Sequence, residues 1–110
     1  MSDAPFCYVV VHQACKNRPG VLAAQVWHAA RECMQPGSGP ASCLERVCVL
    51  EAKSSAELID LAETLAANAV HHVLLREPDE PWNGTATAVG IDACDRAIVK
   101  PLVAQFQLLR

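Results

Sequence analysis

Two rhythms of apolar positions divide this chain: short β-branched runs, and longer stretches in which apolar residues return every three or four places. Cys7–Gln13 (Cys-Tyr-Val-Val-Val-His-Gln) is the first short run and predicts a buried strand. A polar loop, Ala14–Pro19, leads into Gly20–Ala30, a stretch of small apolar residues without a breaker. It predicts a helix, opened by Pro19, whose missing N–H has no partner to lose at the first helical position. The helix is expected to stop near Gln35, because Pro36-Gly37-Ser38-Gly39-Pro40 cannot continue it, and those five residues read as the most flexible segment. Glu45–Ala52 predicts a second strand. Ser54-x-x-Glu57 is a capping box, and Leu58, Leu61, Ala62 and Leu65 follow at helical spacing, so a second helix runs to about Asn68. Val70–Arg76 predicts a third strand and Thr85–Ile91 a fourth. Between them, Glu77–Gly84 holds two prolines and an Asn-Gly, which exclude regular structure. A short helix from about Ala93 is expected to end or kink before Pro101, and Phe106–Leu109 closes the chain as an apolar tail.

The order β-α-β-α-β-β-α predicts one α/β domain, residues 1–110, with helices on both faces of a small mixed sheet. Two strand–helix–strand units imply parallel pairing among the first three strands through right-handed crossovers. The fourth strand is reached through a loop without a helix and is expected to run antiparallel. Leu22, Val26 and Ala30 are the residues expected to seat the first helix on the sheet.

Composition narrows the class. With 52% hydrophobic and 19% charged residues, the 110-residue chain has the makeup of a soluble globular domain. No apolar run reaches the roughly 18–20 residues that span a bilayer, and no basic leader precedes the first strand, so a cytoplasmic location is expected. Six cysteines lack any Cys-x-x-Cys spacing, and Cys7, Cys33 and Cys48 lie in apolar periodic stretches. They read as thiols, with neither a disulfide framework nor a zinc site. His71 and His72 point to opposite faces of a strand and make no compact ligand pair. A net charge of −3 opposes a broad electrostatic grip on nucleic acid, which leaves a local basic patch as the remaining route to it.

Candidate chemistry starts on the first helix. Gln25 and His28 are three apart and share a face with Val21 and Glu32. Two polar side chains projected together from an apolar helix beside a loop suggest a site; a satisfied core histidine and a half-exposed glutamine explain the same spacing. Glu77 stands where the third strand meets its loop. Thr85 and Thr87 share a face of the fourth strand.

The run Gly20-x-x-Ala-Ala-Gln25-x-x-His28-Ala-Ala, after a short apolar strand, resembles the first helix of the type II peptidyl-tRNA hydrolases. The second half extends the resemblance: a strand, Glu77-Pro78-Asp79, a short loop, then Thr85-Ala-Thr87-Ala-Val-Gly90-Ile91. Leu61–Leu65 and the closing Phe-Gln-Leu-Leu are similar too, and the whole is nearest the divergent peptidyl-tRNA hydrolase domain-containing subgroup. The resemblance implies a four-stranded mixed sheet in the order 2-1-4-3 between helical layers, and a homodimer; no cofactor or metal is expected. It implies hydrolysis of the ester joining a peptide to the terminal ribose of tRNA, with His28, Glu77 and Thr87 as catalytic residues. Glu77 takes the place of the family aspartate, or Asp79 does if the loop is threaded differently. Substrate contacts fall to Gln25, Thr85, the N–H groups near Gly20, Lys16 and Arg18 for the phosphates, and Trp82 for a base of the CCA end. Val21 stands where the family helix carries lysine. That departure keeps a second reading open, in which the fold serves as an RNA-binding or protein-interaction module.

Overall fold

A computed structural model gives the structure of residues 6–33, 47–94 and 96–110. The Pro36–Pro40 segment, the expected helix end near Gln35, the first two residues of the second predicted strand and Cys43 lie outside the described residues. The elements are β1 (Phe6–His12), a 3-10 turn (Gln13–Asn17), α1 (Pro19–Glu32), β2 (Val47–Ala52), α2 (Ser55–Ala67), β3 (His72–Glu77), β4 (Thr85–Cys94), α3 (Arg96–Leu102) and β5 (Gln107–Leu108).

The sheet has five strands, ordered β3-β4-β1-β2-β5, rather than the four expected. The order 2-1-4-3 survives inside it, and β5 is added at the β2 edge by pairing Leu50 with Leu108 and Glu51 with Gln107. The sequence shows this tail only as apolar, because two residues are too few for a strand's alternation. A second correction concerns β3. Among the described residues only β1 and β2 pair in parallel, Cys7 opposite Val47 through His12 opposite Ala52. β3 pairs with β4 alone, antiparallel, and β4 separates it from β1. β4 also runs three residues beyond Ile91, to Cys94, so α3 starts later than Ala93 and holds Pro101 inside its last turn.

Alternation along β1 sorts the core onto two faces. Tyr8 and Val10 point to the side where Leu58, Leu61 and Leu65 of α2 and Val99 of α3 pack, with Val103 and Phe106 beyond it. Cys7, Val9 and Val11 point to the other side and meet Ala29, Ala30 and Cys33, with Leu22 and Val26 packed against them. Gly90 makes this second contact close. A Cβ built there would fall inside contact distance of the Ala29 carbonyl oxygen, so only glycine lets α1 lie so near β4.

Capping follows the expected logic with one shift. The Ser54 hydroxyl accepts from the Glu57 N–H at 3.3 Å, while the Glu57 carboxylate accepts from the N–H of Lys53, one residue earlier than in the reciprocal box. Cys7, Cys15, Cys33 and Cys48 are thiols. No described helix is long and apolar enough to cross a membrane.

Candidate active site

The site forms where α1 crosses the β3–β4 hairpin. β3 and β4 lose register between Leu75 and Arg76: Leu75 lies opposite Ala88, but Arg76 lies opposite Ala86. Thr87 is the extra residue of a β-bulge, a device that re-aims a side chain. Ala88 already packs on the α1 side, and the bulge turns Thr87 to that side as well.

Thr87 is fully buried, and its hydroxyl donates to Gln25 Oε1 at 2.8 Å. The Leu75 carbonyl oxygen is farther, at 3.5 Å, and the hydroxyl has one proton to give. Gln25 is only 6% exposed, and its Nε2 donates to Glu77 Oε2 at 3.2 Å. A carboxylate only accepts, so the partner fixes which end of the amide faces it. The result is a directed chain, Thr87 hydroxyl to Gln25 amide to Glu77 carboxylate. Each bond polarises the next, which strengthens the series in a low-dielectric interior.

Glu77 ends β3, and its other oxygen accepts from the Asp79 N–H at 3.3 Å. Asp79 itself is exposed, so Glu77 is the carboxylate joined to the buried chain. The loop after it is tied by its own backbone: the Gly84 N–H reaches the Glu77 carbonyl at 2.8 Å, and the Trp82 and Asn83 N–H groups reach that of Asp79. Asn83 and Gly84 take the left-handed conformations this turn needs, with φ of 50° and 84°. Thr85 lies opposite Glu77 across the hairpin.

Above the chain opens a shallow groove of about 180 Å³, lined by Gln25, His28, Glu32, Leu75, Arg76 and Glu77. His28 borders it with a half-exposed ring, its Nδ1 3.7 Å from a Glu32 oxygen one helical turn on. His28 is therefore at the groove wall, not in the core. Arg76 donates from its guanidinium to the Gly84 carbonyl at 3.1 Å. Val21 is partly buried on the same stripe of α1, one turn before Gln25.

Other sequence candidates sit farther out. Lys16 binds the Glu51 carboxylate at 3.0 and 3.3 Å, and that contact, before all else, holds the Glu51 carboxyl below its ordinary range. Arg18 and Gly20 are exposed where α1 begins. Trp82 is half-buried, its ring edge-on to His12 with centroids 5.7 Å apart.

Two neighbours of the site escaped the sequence. Cys15 is fully buried in the 3-10 turn; burial, and then the charge of Glu77, push its thiol pKa up. His12 Nδ1 accepts from the Ala14 N–H at 3.1 Å and caps that turn, while burial lowers the ring's pKa. Cys15 lies in a loop whose composition signals only polarity, and His12 ends a strand that the sequence marks only as buried. Among the described residues no cluster of three or more His, Cys, Asp or Glu side chains is placed to hold a metal.

No curated protein matches the chain significantly. The family profile described as peptidyl-tRNA hydrolase PTH2 does match, over residues 6–109, a span that takes in every element of the sheet and the whole polar chain from Thr87 to Glu77. The chain belongs to the PTH2 peptidyl-tRNA hydrolase family.

Proposed function

We propose that the chain hydrolyses the ester of peptidyl-tRNA, releasing peptide and free tRNA. The observation that carries this reading is the hydrogen-bonded series from Thr87 through Gln25 to Glu77, which ends in a groove bordered by His28. Ester hydrolysis needs a group to take a proton from the attacking water and another to return one to the departing ribose oxygen. Glu77 is the proton acceptor in this reading, aimed by Gln25 and the Asp79 N–H. His28 is the donor to the leaving oxygen. Thr87 acts through Gln25 as a positioning residue. Thr85 and the N–H groups at the start of α1, around Gly20, face the acyl group, and Trp82 stacks a base of the CCA end. Arg18 meets a terminal phosphate, and Lys16 joins it by exchanging the Glu51 carboxylate for phosphate. No step draws on a metal or cofactor. Residues 1–110 act as one domain, in a cytoplasmic homodimer.

A second reading has its own support. Val21 brings no cation to the site, and removing a positioned charge from a developing oxyanion typically costs about 10²–10³ in rate. A net charge of −3 likewise opposes a tRNA substrate, so together they favour a catalytically retired domain that keeps the fold as an interaction module, for a protein or, through a local basic patch, for RNA. Release of labelled peptide from peptidyl-tRNA by purified protein decides between them. Catalytic release that disappears in Glu77→Gln supports the hydrolase; binding of tRNA with no hydrolysis of any acylated tRNA supports the module.

A further inference from the structure

Cys7 and Cys33 are distant in sequence and meet on the α1 side of the sheet. Cys7 is the second residue of β1, the middle strand of five, and Cys33 caps the C-terminal end of α1. Their Sγ atoms lie 3.8 Å apart, and both residues are buried. The Cys33 thiol also donates to the Ala30 carbonyl at 3.3 Å. We infer that Cys7 and Cys33 are an oxidisable dithiol, closing to an intramolecular disulfide that fastens the end of α1 to the central strand.

A disulfide bond is about 2.05 Å long, so the sulfurs must approach by less than 2 Å. The helix end supplies most of that movement. Cys33 is at a helix end, and Cys7 is at the point where the β1–β4 register shifts, between Phe6 and Tyr8. At rest the pair stays reduced. The hydrogen bond between the thiols, then burial, then the charges of Cys7 and Asp92 push the Cys33 thiol far above its usual range, and only a thiolate attacks a disulfide. Reaction therefore waits on local opening of the helix end.

A low-molecular-weight disulfide such as oxidised glutathione is the co-reactant. One protein thiol loses its proton to solvent, attacks the disulfide and expels a thiolate, which takes up a proton. The second protein thiol then displaces the remaining half of the reagent in the same way. Two protein thiols become one disulfide, and one small disulfide becomes two small thiols. Since Gln25, His28 and Glu32 all lie on α1, the bond fastens the helix that borders the groove.

The test uses the folded, reduced full chain incubated with excess oxidised glutathione. Residual thiols are then alkylated, and peptides are mapped by mass spectrometry without reductant. The expected result is a linked peptide pair containing Cys7 and Cys33, in a chain about 2 Da lighter by loss of two hydrogens, reversed by dithiothreitol. Cys33→Ser should lose that pair and stop at a glutathione adduct or at unmodified Cys7. Linkage through other cysteines, stable glutathione adducts at both positions, or no reaction while amide exchange shows the end of α1 opening would each overturn the inference. The wild-type peptide map decides even if Cys33→Ser does not fold.

Discussion

Thr87 is the residue on which the polar chain depends, because its fully buried hydroxyl is the donor to the buried Gln25 Oε1. Replacing its hydroxyl by a methyl group leaves Gln25 Oε1 buried without a donor. Such a loss costs about 1–3 kcal/mol. Thr87→Val is expected to lower the urea midpoint accordingly and to reduce hydrolysis, while Thr87→Ser restores both. Glu77 behaves oppositely. It is partly exposed at a strand end, so Glu77→Gln should leave the midpoint nearly unchanged yet cut turnover by roughly 10²-fold or more, as loss of a general base does. Single-turnover peptide release, measured beside urea titration, separates the two. At this scale the sequence was partly legible. Helical spacing placed Gln25 and His28 on one stripe, and the strand–loop junction marked Glu77. It did not show that Gln25 is buried while His28 is exposed. Burial of a glutamine depends on partners 52 and 62 positions away, which no local pattern contains.

The elements were more legible than their pairing. β-branched runs and helical periodicity located four strands and both long helices, because each buries a regular face. Three features lay beyond that logic. The bulge at Thr87 breaks alternation by one residue inside a run that reads as continuous. β5 is two residues long. Pro101 sits within α3, near its end, where a missing N–H interrupts little of the helix. The contact between α1 and β4 rests on Gly90, and this gives a sharp expectation. Gly90→Ala places a methyl group against the backbone of Ala29, which cannot rotate away. Overpacking of this kind costs about 1–3 kcal/mol. Because α1 must lift from the strand that carries Thr87, Gly90→Ala should also weaken hydrolysis, although residue 90 touches none of the site. A lowered urea midpoint without loss of activity would show that α1 adjusts elsewhere.

For the whole molecule, pH separates two electrostatic contributions. Burial lowers the His12 pKa below its ordinary 6.5, so the unfolded chain binds a proton more readily than the folded one. Stability that is full above about pH 6.5 therefore declines as pH falls from there to the folded pKa. His12→Asn keeps an acceptor for the Ala14 N–H but cannot titrate, and should flatten that first decline in a series of thermal melts. The Glu51 carboxyl, held low chiefly by Lys16, acts in a separate window. Its contribution is present above its ordinary 4.5 and is lost as pH drops through its folded value. The double variant His12→Asn, Lys16→Ala should lose both slopes, and a remaining slope near pH 6 would assign it to another histidine.

β5 has a consequence out of proportion to its length. By pairing with Leu50 and Glu51 it occupies the outer side of β2, a strand whose first three residues, Val47, Cys48 and Val49, are only partly buried. An apolar strand with its outer N–H and C=O groups unpaired is a template for a second chain. The two-residue strand covers part of that edge and so withholds it from pairing with a second chain. Replacing both Gln107 and Leu109 with proline removes the amide donors that face β2, among them the Leu109 N–H that reaches the Val49 carbonyl at 3.0 Å. Light scattering of the concentrated protein should then rise with time, while circular dichroism of freshly folded protein changes little. Scattering that stays flat would mean that β2 needs no such cover.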